Sequence, residues 1–371
     1  MTAQQRLRVL VITIVHDPED ARIRYRQIPA LMSAGHSVLY AAPFAAFART
    51  PPTGVRAITL PRATGRDRLS AIWAARRLIR RFGCTADIIL LHDPDLLLAV
   101  LGLGGRVGPI VWDVHEDTAA ALSMRAWIPT FLRRPFAGAV RLAEQFAERH
   151  YHLILAEHSY RERFRTDHPV VPNSVLVPRA RPEAPGTDRV VYLGKINTPR
   201  GGAQMLELAR AVPELRIQLI GPADPDVRDQ VRRAAEAGLV EWIDFLPNHQ
   251  ALASLPGALA GIALLHDERN YSRSLPTKLV EYMAHGLPVI TTSNEAAAAL
   301  VTDSGGGIVV PFGDTAAVAE ALRTLAASGD SRITYGSNGY GYVAQHMNWH
   351  RDGPAFVRVL EDFASGASRS P

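Results

Sequence analysis

The sequence predicts an α/β protein of two doubly wound domains, each a parallel sheet covered by helices on both faces. Three observations point to that class. The chain has 371 residues, more than one hydrophobic core ordinarily serves. Short apolar runs alternate with stretches of helical length in both halves, which is the pattern of βαβ units. Between the halves lies VPRARPEAPGTDR (177–189), whose three prolines, one glycine and five charges read as an interdomain linker.

The elements follow in order. RVLVITIV (8–15) is a strand, a helix over 20–34 stops at Gly35, and HSVLYAAP (36–43) is the next strand. The amphipathic stretch DRLSAIWAARRLIRRF (67–82) is a helix, followed by strands DIILLH (87–92) and PIVWDVHE (109–116). A helix over 133–150 and the strand HLILAEH (152–158) complete this half. The second half restarts with RVVYLGK (189–195), helix 202–211, RIQLIGP (216–222), helix 225–237 and VEWIDFL (240–246). GIALLH (261–266), helix 277–285, PVITT (288–292), GIVVP (307–311) and helix 314–327 follow. A last helical stretch, 353–364, stands apart from that pattern.

Composition narrows the class. A hydrophobic share of 47% with 21% charged residues suits a folded globular chain. No run approaches the roughly 18 apolar residues of a membrane span, and the opening Val9–Val15 stretch reads as a buried strand rather than a secretory signal. One cysteine, Cys84, excludes an internal disulfide and a cysteine zinc site and suits a reducing, cytoplasmic setting. The net charge of +5 is uneven: residues 1–178 hold 23 basic and 15 acidic side chains, the remainder 18 and 21. The basic first half suits a phosphate-bearing partner or an anionic membrane surface, and equally a solvated arginine-rich face. Of 41 basic residues 39 are arginine, which singles out Lys195 and Lys278 as places where an ammonium differs from a guanidinium.

Polar clusters gather where strands end: HDPED (16–20), HDPD (92–95), DVHED (113–117), GKINTPRGG (194–202) and HDERNYSRS (266–274). Ligands of such sheets bind outside the carboxyl ends of the strands, so the pattern predicts a shared cleft. In GKINTPRGG a strand ends at Gly194 and a helix starts near Gly202, leaving backbone N–H groups open to an anion, with Lys195 and Arg200 as cations for a diphosphate. The P-loop spacing G-x-x-x-x-G-K-[ST] is absent. In SLPTKLVEYMAHGLPVITT (274–292), Pro276 suits a first helical turn that Ser274 or Thr277 caps. Lys278 and Glu281 share a face of that helix, either as an ion pair or as a phosphate ligand and a ribose acceptor. No HExxH or His/Cys cluster occurs, and DPD (93–95) opens a helix, so no metal and no cofactor are expected. No G-x-G-x-x-G follows a first strand, and no helix-turn-helix, zinc-finger or RNP signature accompanies the charge, which argues against a dinucleotide enzyme and against nucleic acid.

GKINTPRGG followed downstream by LPTKLVEYMAHGLPVI resembles the donor-binding half of retaining glycosyltransferases of family 4, which have the GT-B fold. AGHSV, ADIILLHDPDLL, IVWDVHE, PNSV, LIGP and GGGIVVPFGD extend the resemblance over almost the whole chain. It implies two Rossmann-like domains facing across a cleft: 1–178 on the acceptor side, joined by a returning helix within 353–371, and 187–350 on the nucleotide-sugar side. It implies that Lys195 and Arg200 hold the donor diphosphate and Glu281 the ribose, with Gly194, Gly221, Ser274, Leu275, Pro276, Thr277 and Lys278 completing the donor pocket. His115 then lies beside the transferred sugar, as a proton shuttle or hydroxyl ligand, and His16, Asp17, His92, Asp113 and Glu116 become acceptor-side candidates. Two departures leave the sugar open: Arg273 stands where many members carry Glu, and HDPEDAR (16–22) replaces a glycine-rich turn.

The implied function is hexosyl transfer from a nucleotide sugar to a glycan, lipid-linked or small-molecule acceptor in surface-polysaccharide or glycoconjugate synthesis. A lipid-linked acceptor would bring the chain to the inner membrane face through Arg76, Arg77, Arg80 and Arg81, with Arg133, Arg134 and Arg141. A nucleotide-sugar 2-epimerase of the same fold and a non-catalytic two-lobed binding protein are the alternatives.

Overall fold

A computed structural model of the chain describes residues 6–115, 130–268, 271 and 275–366; Glu116, Arg273 and Ser274 lie outside the described residues. The chain divides into two compact units, one running to Asn173 and resuming at Arg351, the other Ser174–His350.

The first unit is built on β1 (Arg8–Ile12), β2 (Ser37–Ala42), β3 (Arg56–Thr59), β4 (Ile88–Leu91), β5 (Ile110–Val114) and β6 (His152–Leu155). The sheet is wholly parallel, in the order β3-β2-β1-β4-β5-β6. Every residue of β4 is buried, because helices cover both faces of a parallel sheet, and this makes IILL an unbroken apolar run. α1 (Ile28–Ser33), α2 (Arg68–Phe82), α3 (Leu96–Val100) and α4 (Thr130–His150) supply the cover. The helix expected over 20–34 forms over 21–33, with a wide π-type segment at Ile23–Gln27 running into α1 that buries the polar Arg26 and Gln27. A buried polar cluster, not the apolar stripe alone, shapes this segment. Edge strand β3 escapes a sequence reading because its four residues are half-buried or exposed and show no alternation.

The second unit repeats the winding with β7 (Arg189–Leu193), α5 (Gly202–Ala211), β8 (Arg216–Ile220), α6 (Arg228–Glu236), β9 (Glu241–Ile243), α7 (Asn248–Ala253) and β10 (Ala260–Ala263). α8 (Thr277–Ala284), β11 (Val289–Thr292), α9 (Glu295–Ser304), β12 (Gly307–Val310), α10 (Thr315–Ala327) and α11 (Gly329–His346) follow. The order β12-β11-β10-β7-β8-β9 is again parallel, so β7 holds the place that β1 holds in the first sheet. In both sheets the winding reverses beside that strand: between β1 and β4, and between β7 and β10.

The units part at Asn173 rather than inside the proline-rich stretch. Val175 and Val177 are buried in the second unit's core, and the Val175 backbone exchanges hydrogen bonds with Met347 and Trp349. The final helix α12 (Trp349–Ser365) joins the first unit from Arg351 on, where Phe356 and Leu360 are fully buried. There Phe363 stacks on His152 with ring centroids 4.2 Å apart. His36 accepts the Leu7 N–H through Nδ1, so its Nε2 carries the proton and lies 3.1 Å from a Glu361 carboxylate oxygen. Among the described residues no helix is long and apolar enough to cross a membrane.

Helix α11 carries Gly336 and Gly339, residues that weaken a helical reading of its sequence. Packing explains them. A Cβ on Gly336 would lie 2.2 Å from the Gly286 carbonyl oxygen, and one on Gly339 would lie 2.9 Å from Met283 Cγ, so bare backbone is what lets α11 press on α8. Gly336→Ala is expected to lower the unfolding free energy by roughly 1–3 kcal/mol through overpacking, despite the better helix former. Urea denaturation of the two proteins checks this.

Candidate functional site

In each unit the chemistry-bearing side chains collect at the carboxyl ends of the strands that flank the winding reversal. In the first unit these are the ends of β1 and β4, with β5 beside them. Thr13 and His16 follow β1, His92 and Asp93 follow β4, and Asp113 and His115 come from the end of β5.

Asp93 is fully buried and accepts from the Thr13 hydroxyl and from the backbone N–H groups of Ile14 and Val15, so it fixes the loop after β1. His16 Nε2 lies 3.2 Å from Asp93 Oδ1 and 2.9 Å from His115 Nε2. His115 Nδ1 lies 3.1 Å from the Asp113 carbonyl oxygen. The Asp113 carboxylate, also fully buried, accepts from both forks of Arg22 at 2.8 Å and from the Gln27 side-chain amide Nε2 at 2.8 Å. His92 Nδ1 stands 3.3 Å from the same carboxylate. Burial would raise the Asp113 carboxyl, but the Arg22 guanidinium and then His92 hold it well below the ordinary carboxylate range. Desolvation also works to raise half-buried Asp20, which His16 and His115 pull below its ordinary value. Asp20 further accepts the Arg22 and Ile23 N–H groups, starting the wide turn that carries Gln27.

Of the acceptor-side residues expected from sequence, the structure brings together His16, His92, Asp113 and His115. Asp17 does not join them; its carboxylate accepts from Arg49 and from the Glu19 N–H. Sequence reasoning missed Asp20, Arg22, Gln27 and Asp93 as members. The signal for Asp20 and Arg22 was present in HDPEDAR, a charged run in the place of a glycine-rich turn. Ligand atoms of His92, Asp113 and His115 lie within 4.8 Å of one another, a spacing that a metal ion can bridge. Both Asp113 oxygens, however, accept from the Arg22 guanidinium, which already supplies the counter-charge and would repel a second cation.

In the second unit, β7 ends at Gly194 and β8 at Gly221, both at positive φ (111° and 140°). A Cβ on Gly221 would sit 2.2 Å from the Gly194 carbonyl oxygen, so the two strand ends touch through backbone alone. The Asn197 side chain accepts the Arg200 N–H, capping a short turn that leads through Gly201 into α5. Lys195 is half exposed and its Nζ pairs with Asp224 at 2.9 Å. Arg200 faces inward, hydrogen-bonded to Tyr271 and close to Tyr192.

Helix α8 begins at Thr277 after Pro276, with Leu275, Pro276 and Thr277 half-buried, and it carries Lys278 and Glu281. Lys278 does not hydrogen-bond Glu281. Its Nζ is buried, has no hydrogen-bond partner among the described residues, and lies 3.5 Å from the centre of the Tyr192 ring. Gly194 lies beside it: a Cβ there would be in ordinary van der Waals contact with Nζ, at 3.5 Å. Burial, reinforced by the charge of Arg200, pushes the ammonium well below the ordinary lysine range, and Glu281 opposes the shift. Glu281 is itself buried, with the Asn248 amide 3.4 Å away. The Leu193 N–H donates to the Tyr282 hydroxyl at 2.6 Å, tying α8 to the end of β7. The structure therefore groups Gly194, Arg200, Lys278 and Glu281, with Gly221 against Gly194, and leaves Lys195 on Asp224.

The two-unit, doubly wound architecture is that of the GT-B fold, and solved structures share it. Over 98% of this chain and 100% of the other, the fold matches sucrose-phosphate synthase from Thermosynechococcus elongatus with a TM-score of 0.72 at 16% identity. Residues 187–328 match the family model described as Glycosyl transferases group 1. The chain is 28% identical over 329 residues to a phosphatidyl-myo-inositol mannosyltransferase of Mycobacterium leprae, covering 85% of this chain and 84% of that one. The corresponding protein of Mycolicibacterium smegmatis is 26% identical over 357 residues, 91% and 88% of the two chains. These matches support a glycosyltransferase enzyme of the family 4 type.

A buried ammonium without a partner costs stability, and the cost depends on pH. Because the folded chain holds Lys278 below its ordinary value, the unfolded chain binds the extra proton, so stability is depressed at neutral pH and recovers as pH climbs toward the ordinary lysine value. Lys278→Met is expected to be more stable than the natural protein at pH 7, with the gap narrowing as pH rises toward about 10. Unfolding midpoints measured across that range check it.

Proposed function

We propose that the chain moves a hexosyl group, mannose being the first candidate, from a nucleoside diphosphate sugar to a hydroxylated acceptor with retention of configuration. The observation that carries this reading is the grouping at the end of β7: a Lys278 amine with no hydrogen-bond partner among the described residues, the Arg200 guanidinium and the Glu281 carboxylate around backbone that Gly194 and Gly221 leave bare. Two cations without a carboxylate between them suit a diphosphate leaving group, and Glu281 suits a ribose diol. Lys195, drawn to Asp224, would join the phosphates by exchanging one anion for another. Charge stabilisation here needs no metal, because the protein's own cations meet the charge that develops on the leaving oxygen. His115 is assigned to the transferred sugar, with His16, His92 and Asp113 around it.

The mannosyltransferase relatives support a lipid-linked inositol-type acceptor, and α2 supports contact with an anionic membrane. Leu69 and Trp73 stand 67% and 62% exposed on that helix, which also bears Arg77, Arg80 and Arg81. Arg76 turns inward instead, donating to the Ala99 and Leu101 carbonyls.

Two measurements test these readings. Thermal-shift titration with GDP, UDP, dTDP and ADP, with and without EDTA, is expected to show one nucleotide stabilising the chain irrespective of chelator, by about 2.7 kcal/mol at a hundredfold excess over its Kd. Absence of any shift removes the donor assignment. Sedimentation with phosphatidylinositol-containing vesicles is expected to carry the natural protein down and to lose most of that binding in a Trp73→Ala, Arg77→Ala double variant; equal recovery of both proteins in the supernatant removes the membrane contact.

A further inference from the structure

We propose that His16 is a positioning residue for His115: the buried Asp93 carboxylate keeps the proton on His16 Nε2, and that N–H holds the His115 ring with its Nε2 bare. This rests on the reading that His115 serves the transferred sugar, and it adds a function to a loop where the family resemblance offers no counterpart.

The protons follow from the partners. A carbonyl oxygen only accepts, so His115 Nδ1, 3.1 Å from the Asp113 carbonyl, carries its hydrogen. A neutral His115 then has a lone pair on Nε2. That nitrogen faces His16 Nε2 at 2.9 Å, and two nitrogens at that distance must share one hydrogen. Asp93 decides which ring owns it. Its Oδ1 lies 3.2 Å from His16 Nε2, and a lone pair there would face a carboxylate, so the hydrogen belongs to His16. Asp93 is held in place by Thr13, Ile14 and Val15, and the His16 backbone N–H donates to the Thr13 hydroxyl at 3.1 Å, so the donor is anchored at both ends. The rings are tilted at 45° with centroids 4.6 Å apart.

Among the described residues, Asp20, Asp113 with its Arg22, the His92 ring 5.8 Å away and the Tyr160 hydroxyl also face the pair. The arrangement gives His115 a single tautomer and a fixed ring plane.

The test uses the full-length chain labelled with ¹⁵N-histidine. In the ligand-free protein His115 should be protonated at Nδ1 alone, and its Nε2 should show scalar coupling through the hydrogen bond to His16 Nε2. A His115 that carries its proton on Nε2, or the absence of coupling, overturns the proposal whatever the enzyme's substrate. With GDP-mannose and phosphatidylinositol vesicles as the assay, His16→Leu should lower kcat about 100-fold while the KM for GDP-mannose stays unchanged. His16→Gln, which keeps a donor, should recover most of the loss. If His16→Leu turns over like the natural protein while His115→Ala is inactive, the positioning role fails and the reading of His115 survives. If His115→Ala is also unaffected, it is the assignment of His115 that falls.

Discussion

A parallel sheet that is covered on both faces offers its ligands only one place, the reversal of the winding at the carboxyl ends of its strands. Both sheets of this protein obey that constraint with the same strand order, and the polar chemistry of each unit is concentrated there. The first strand of each unit ends in a loop that cannot be covered by the next helix, because the chain leaves in opposite directions on its two sides. Residues elsewhere in the sheets are apolar because helices bury them. The reversal sites collect histidines, carboxylates and cations because nothing in the fold excludes those groups there.

The two units use buried charge in opposite ways. In the first, every buried carboxylate has donors: Asp93 takes backbone N–H groups and Asp113 takes a bidentate arginine. Such networks rigidify, and removal of one partner leaves a charge that burial penalises by several kcal/mol. In the second unit Lys278 has no hydrogen bond among the described residues and is held over an aromatic ring beside Arg200. A cation–π contact recovers only about 0.5–2 kcal/mol of what desolvation costs. The satisfied network sets geometry, while the unsatisfied one stores a free energy that an entering anion would release.

Much of the fold was legible because the buried strands RVLVI, IILL and RVVYL are short apolar runs bounded by polar turns, and because the intervening stretches have helical length. What escaped was decided by tertiary contact. The glycines of α11 read as breakers until Met283 and Gly286 are seen against them. The bend at Ile23–Gln27 depends on Asp20 and Asp113, side chains far apart in sequence. The same holds at the candidate sites. Lys278, Glu281 and Arg200 stand out by type and spacing, whereas the contact of Lys278 with Tyr192 rather than Glu281 is set by how α8 packs on the end of β7. Asp93 reads as the opening of a helix, and only the fold reveals that it faces His16.

The seat of Lys278 over Tyr192 explains why a chain so rich in arginine retains a lysine there. An amine can shed its proton when no anion is near and so endure an apolar enclosure as a neutral group. A guanidinium cannot, since it stays charged at any pH a protein survives. Lysine at this seat therefore keeps a freedom to trade its proton that arginine would remove.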